Sequence, residues 1–319
     1  MWKSSVIAFL CIAAYAQLPS GSLWHDPGDV ASLDFAGSMA APVSQPKPPF
    51  TFLREDMSGT QPKVFVRDAN QATWNVKFGL EVRPESFCWR VVKACGYFAE
   101  PNFFVAAGKF ERFQPMQRKE PSIHADGSFT SGRFQYRDPN LKFLENKNWL
   151  WDGPPYAGTK ELSGLKILIM LFSNWDNKDA RVGAGGGPNT AIFQQKKPSG
   201  VRFIYTFTDW GAGFGSLGSV RSNWQCGAFT EQSANFVLGV KNGLVNFVYD
   251  GNVNEGFRTG ITVSHVAWFM KYLGRITDAQ LRIGFKASGA SDAESDCFTA
   301  AMRTRIKELR AAAEKSGVK

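Results

Sequence analysis

The chain has 319 residues, 44% of them hydrophobic and 14% aromatic, which excludes a disordered polymer and allows one large core or two lobes. A formal net charge of +9 is spread without any run of five or six like charges, so it favours acidic or phosphate-bearing ligands only in a general way. No nucleic-acid partner is expected from so diffuse a charge.

Residues 1–16 fit a secretory signal peptide. Met1-Trp2-Lys3 is cationic, residues 5–14 form an apolar core too short to span a bilayer, and Ala14-Tyr15-Ala16 fits a small-x-small cleavage site. The mature chain would begin at Gln17, be exported to a periplasmic or extracellular compartment, and carry no transmembrane anchor. Residues 17–49, rich in Pro, Gly, Ser and Ala, read as an extended arm or linker. Regular structure is expected from Phe50, with a turn-rich loop at Met57-Ser58-Gly59-Thr60-Gln61-Pro62-Lys63. Two β-like runs follow, at residues 64–66 and 73–78, joined as a hairpin. Pro84 suits the first position of a helix that buries Phe87, Cys88, Val91, Val92 and Cys95 and stops at Gly96.

Residues 97–105 read as one or two short strands, and 108–148 as a polar, irregular insertion with a hairpin near Gly127. Thr159 is a candidate N-cap for a helix to about Phe172 that is apolar almost throughout. A polar cluster, Asn174-Trp175-Asp176-Asn177-Lys178-Asp179, then gives way to a glycine-rich loop containing Asn189. A β-like run at 203–207 leads into Thr208-Asp209-Trp210-Gly211. Asn242-Gly243 marks a hairpin between strands near 235–240 and 245–249, Thr277 is a candidate cap of one of the last helices, and Ser291 or Asp292 of the other.

Four cysteines remain after cleavage: Cys88, Cys95, Cys226 and Cys297. The first two share a helix seven residues apart, a separation of about 10 Å and too long for a bridge. Cys226 with Cys297 is the expected disulfide in an oxidising compartment. Scattered histidines (His25, His124, His265) and the lack of a Cys-x-x-Cys pair argue against zinc. Gly213-Phe214-Gly215-Ser216-Leu217-Gly218 matches a dinucleotide fingerprint in spacing, yet no βαβ unit surrounds it.

Taken singly, the polar candidates have ordinary explanations. Lys77 could be a solvent-facing strand lysine, Asp176 part of a helix-end turn, Asp209 a turn initiator and Asn189 a loop residue. Their order carries more weight: glycine loop, hairpin with lysine, helix with glutamate, long buried helix, Asp loop with a downstream Asn, strand, Asp-x-Gly. That order resembles the phosphoryl-transfer parts of the protein-kinase-like superfamily, and more closely its atypical HipA-type and phosphoinositide-kinase branch, here as an exported bacterial member.

The resemblance covers roughly residues 50–310 through short motifs only. It implies an α+β, two-lobed protein-kinase-like fold, with a small β-rich N-lobe over residues 50–106 and a larger, mainly helical C-lobe over 107–319. It also implies ATP or another nucleoside triphosphate as cofactor, with Mg²⁺ (or Mn²⁺). Gly59, Thr60, Gln61 and Lys63 would form the phosphate-contacting loop, and Lys77 would grip phosphates beside Glu85, preferred over Glu81. Asp176 would act as base with Lys178 nearby, and Asp209 with Asn189 would hold metal. The kinase pattern has an Asn ligand five residues after the catalytic Asp, where this chain has Arg181; Asn189 replaces it if residues 182–188 are an insertion.

The resulting expectation is a kinase-like phosphotransferase acting on an unknown acceptor. The alternative is a non-catalytic kinase-like protein that binds a partner or an anionic envelope surface. A hydrolase using Asp176 and Asp209 as paired carboxylates is the third reading.

Overall fold

A computed structural model describes residues 18–37, 39, 43–182 and 187–315. Residues 1–16, where a signal peptide is expected, and most of the glycine-rich run after Val182 lie outside the described residues.

Five strands close into a barrel in the order β1-β2-β3-β5-β4. They are β1 (Phe50–Asp56), β2 (Lys63–Arg67), β3 (Thr73–Lys77), β4 (Asn102–Glu111) and β5 (Ser128–Tyr136), with α1 (Val82–Ala94) between β3 and β4. Neighbouring strands are antiparallel except β1 and β4, which run parallel. Successive side chains of a strand point to opposite faces. One face therefore collects Val64, Val66, Trp74, Val76 and Phe134, all buried. The other is polar: register aligns Lys63 with Lys77 and Lys77 with Arg133 in a single row.

Residues 102–136 are where structure and sequence reading part. The expected insertion over 108–148 instead supplies the rest of β4 and all of β5, two strands that close the barrel. The expected hairpin near Gly127 is real, and its strands pair from Asn102↔Gln135 to Lys109↔Ser128.

The second half begins with β6 (Leu141–Phe143) and α2 (Lys160–Leu171), followed by β7 (Thr190–Lys197) and β8 (Gly200–Phe207) in a β6-β7-β8 sheet. Next come α3 (Cys226–Glu231), a hairpin of β9 (Val237–Lys241) and β10 (Leu244–Phe247), α4 (Val263–Leu273), α5 (Asp278–Lys286) and α6 (Asp292–Glu314). Thr159 caps α2, while Thr277 and Ser291 each close a capping box. Every residue of α2 from Leu162 to Leu171 is buried, as an apolar helix in the centre of a domain must be. Strands β6 and β7 and the short α3 carry no strong local pattern and are absent from the sequence reading.

Phe87 of α1 stacks on Phe285 of α5 at 3.7 Å between centroids, joining the barrel side to the helical side. Arg305 of α6 is buried and donates to the Leu171 carbonyl and the Ser173 hydroxyl, both at 2.9 Å, which satisfies the open end of α2. A disulfide between Cys226 and Cys297 ties α3 to α6, and Cys88 and Cys95 are buried free thiols. Residues 18–37 form the expected arm, but it is packed down. Trp24 Nε1 donates to the Cys95 carbonyl at 2.8 Å, and Gln280 Nε2 donates to the carbonyls of Val30 and Leu33 at 2.9 Å. Ser22 lies on β8, giving its N–H to Phe203 O at 3.0 Å and accepting from Tyr205 N at 2.9 Å. Among the described residues no helix is long and apolar enough to cross a membrane.

Candidate active site

The polar row of the barrel needs anions, and α1 supplies them. Lys77 is 8% exposed, and its Nζ lies 2.6 Å from Glu85 Oε1 and also contacts the Glu81 carboxylate. Glu85 Oε2 in turn lies 2.7 Å from Arg133 Nε. The sequence reading preferred Glu85 over Glu81 as partner; both engage the lysine. Burial alone would lower the Lys77 pKa, but Glu85, Asp209 and Glu81 together outweigh it and hold the ammonium above its ordinary range. Glu81 is pushed up, first by burial and then by Asp209 and Glu85, with Lys77 opposing.

Asp209 completes this group from the far side. Its Oδ1 accepts the Gly211 N–H at 3.0 Å, and its backbone carbonyl accepts Asn174 Nδ2 at 2.8 Å. Carboxylate oxygens of Glu81, Glu85 and Asp209 lie within 4.8 Å of one another. Gly211 is required here, because a Cβ would stand 2.5 Å from the Cβ of Glu81. Three carboxylates face two cations, leaving a formal excess of one negative charge. Hard oxygen donors in that balance suit a divalent cation such as Mg²⁺ or Mn²⁺.

Asp176 sits beyond α2 in a turn made by Asn174, whose Oδ1 accepts the Asp176 N–H at 3.0 Å. Asn189 Nδ2 donates to Asp176 at both its carbonyl (2.6 Å) and Oδ2 (3.1 Å). Lys178 Nζ lies 3.1 Å from the same Oδ2, and Asn252 Nδ2 donates to Oδ1. The backbone locks this arrangement: Asn189 N donates to Lys178 O, and Thr208 N to Asn189 O, each at 2.9 Å. Asn189 therefore stands against Asp176 and one residue pairing away from the Asp209 segment. Its amide nitrogen is committed to Asp176, so Oδ1 is the atom that can meet a metal.

Arg181 is turned elsewhere. Its guanidinium meets Asp179 at 2.7 and 3.0 Å and Asp152 at 3.2 Å, while buried Asp179 also accepts the Trp151 N–H at 3.1 Å. The position five residues after Asp176 in sequence is thus a structural clamp for the loop.

The loop of Gly59, Thr60, Gln61 and Lys63 joins β1 to β2 at the rim of the same site. Gly59 has φ 61°, and the Lys63 ammonium reaches Ser58 Oγ at 3.2 Å. Gln61 Oε1 stands 3.2 Å from where a Cβ on Gly79 would be, which brings it over the turn after Lys77. Burial lowers the Lys63 pKa, and Lys77 and Arg133 add to that push against Asp56 and Glu85. Thr60 has no hydrogen bond to any of the other site residues.

Three residues escaped sequence reasoning. Arg133 lay in the stretch read as an insertion. Arg118 holds the loop by donating to the carbonyls of Met57 (2.6 Å) and Gln61 (3.2 Å), and Asn252 holds Asp176. Only for Arg133 was there a signal, the polar–aromatic alternation Arg133-Phe134-Gln135-Tyr136. Beside the charged cluster a slot is lined by Phe98, Glu100, Gln135, Phe193, Phe207 and Trp210, with about 10 Å³ of space, room for roughly one water. Burial raises the Glu100 carboxyl within it, against the pull of Arg137 and Arg133.

Glu85 is the hinge of the charge network, bridging Lys77 and Arg133. Glu85→Gln is expected to destabilise the fold by about 3 kcal/mol, because one partner of a buried ion cluster is removed. Urea denaturation followed by tryptophan fluorescence reads this directly, and an unchanged midpoint would show that the network carries no stability.

No family model matches the chain, and no curated protein matches it. Among solved structures it is similar to a Golgi casein kinase, with TM-score 0.43 and 10% identity over 86% of this chain and 74% of that one. It is also similar to a Golgi casein kinase with Mn/ADP bound, with TM-score 0.37 and 11% identity over 86% and 75% of the two chains. Neither likeness carries the functional reading, which rests on the site.

Proposed function

We propose that this chain is a kinase-like phosphotransferase that moves a phosphoryl group from a nucleoside triphosphate to an acceptor bound beside Asp176. One observation carries the reading. The Lys77–Glu85 pair abuts the Asp209 carboxylate, Asn174 bonds both the Asp209 carbonyl and the Asp176 N–H, and Asn189, tied to Thr208 beside Asp209, bonds the Asp176 carboxylate. In this reading the barrel with α1 is the small lobe, the helical part is the large lobe, and the aromatic slot receives the base. A purine needs far more than the space of one water, so entry requires the two lobes to part.

Asp209, Glu81 and Asn189 Oδ1 would hold Mg²⁺ or Mn²⁺, which when bound neutralises phosphate charge. Lys77 would grip phosphate oxygens, its position set by Glu85. Asp176 would accept a hydrogen bond from the acceptor and orient it, and Lys178 would offset charge developing there. The reading assigns the chain to the atypical HipA-type and phosphoinositide-kinase branch. Its support is the 59–63 loop beside Lys77 and the Asn174-x-Asp176 turn. An exported location is proposed from the pattern of residues 1–16 and agrees with a disulfide.

The test is a thermal-shift titration of the mature protein with ATP or GTP and Mg²⁺ or Mn²⁺, followed by a phosphoryl-transfer assay. Saturable, metal-dependent stabilisation is expected, and none with any pair sinks the enzyme reading. Asp176→Asn should keep nucleotide binding and lower transfer by about 100-fold or more. The rival reading, a binding protein on an anionic envelope surface, is favoured by the three donors, Asn189, Lys178 and Asn252, already on the Asp176 carboxylate. It predicts that Lys77→Ala and Asp176→Ala leave function in cells unchanged.

A further inference from the structure

Away from the charged cluster, the start of α2 borders a cavity of about 210 Å³ that opens to solvent. Its floor holds Lys166, which is 6% exposed and donates through Nζ to the Gly256 carbonyl at 2.7 Å. Among the described residues no carboxylate forms an ion pair with this ammonium. The acid on the cavity rim, Asp152, is taken by Arg181 at 3.2 Å. A buried ammonium with a single neutral acceptor is costly to keep, and two of its three donors have no acceptor among the described residues. Burial pushes the Lys166 pKa down to about 8, with Arg181 adding to that push and Asp152 and Asp179 opposing it.

The rest of the lining is complementary to a ligand with one charged end. Trp151 and Leu162 give apolar walls, and the Ser163 hydroxyl, 2.9 Å from His265 Nδ1, stands one helical turn before Lys166. A cavity of about 210 Å³ suits a small molecule and not a polymer. One compact ammonium, without an arginine fork on the cavity, fits a monoanion better than a multiply charged phosphate.

We propose that this cavity is a binding site for a small organic carboxylate whose anionic end pairs with Lys166 and whose apolar body lies against Trp151 and Leu162. The site shares no residue with the Lys77, Asp176 and Asp209 cluster, and its existence does not depend on the phosphotransferase reading.

Benzoate is the probe, with neutral benzyl alcohol and inorganic phosphate as controls at the same ionic strength. Expected is a saturable rise in melting temperature with benzoate, absent with benzyl alcohol and with phosphate, and lost in Lys166→Met. In wild-type protein, benzoate should also protect Lys166 from an amine-acetylating reagent, read by peptide mass spectrometry, so the conclusion survives if the variant fails to fold. No stabilisation and no protection by benzoate overturns the proposal. Equal Lys166-dependent protection by phosphate overturns the carboxylate assignment, and equal stabilisation by benzyl alcohol overturns the role of the charge.

Discussion

Asp209→Asn is expected to abolish metal-dependent nucleotide stabilisation and to lower phosphoryl transfer by at least about 100-fold, the scale of losing one preorganised electrostatic group. The substitution is chosen for what it leaves intact. An asparagine Oδ1 can still accept the Gly211 N–H, and the backbone carbonyl that receives Asn174 is untouched. What disappears is one of three clustered carboxylate charges. Without metal the variant should differ little from the parent in stability, since losing the Asp209 charge relieves Glu81 but also removes support from the Lys77 ammonium. Thermal melts with and without Mg²⁺ separate the two effects. Retained Mg²⁺-dependent nucleotide stabilisation would remove Asp209 from the metal site.

A second large effect concerns stability alone. Cys226 and Cys297 are 71 residues apart, and closing a loop of that length restricts the unfolded chain by an amount worth about 4 kcal/mol at 25 °C. Cys226→Ser with Cys297→Ser should therefore lower the melting temperature by about 6 °C for a chain of this size. Dithiothreitol should bring the wild-type protein to the same value and leave the double variant unmoved. Exchange with the other thiols is disfavoured: burial raises the pKa of both Cys88 and Cys95 and suppresses the thiolate that would attack. A double variant that melts with the oxidised parent would show that the bridge does not restrict the unfolded state.

Local chemistry explains which features could be read in advance. The caps at Thr159, Thr277 and Ser291 and the Asn242-Gly243 turn depend on residues within four positions of each other, and all four occur as expected. Lys77, Glu85, Asp176, Asn189 and Asp209 were legible as an order of residue types, and the structure gathers them. The barrel was harder. β5 pairs with β3 and β4, tens of residues away, and its Arg133 looks like a loop residue until Glu85 is seen beside it. Asn252 lies in an irregular segment and reaches Asp176 across 76 positions, a contact no spacing rule encodes. Arg181 misled in the opposite sense, since counting along the chain put it at a metal ligand's position while its side chain closes on Asp179 and Asp152.

The arm has a consequence of another kind. β8 is the outermost strand of its sheet, and an open strand edge is a template on which a second chain can add. Ser22 occupies the middle of that edge, using the carbonyl of Phe203 and the N–H of Tyr205, while the Tyr156 hydroxyl pins Gly21 at 2.7 Å. A segment that reads as a tether in sequence is therefore also a guard against self-association, supplied by the chain to itself.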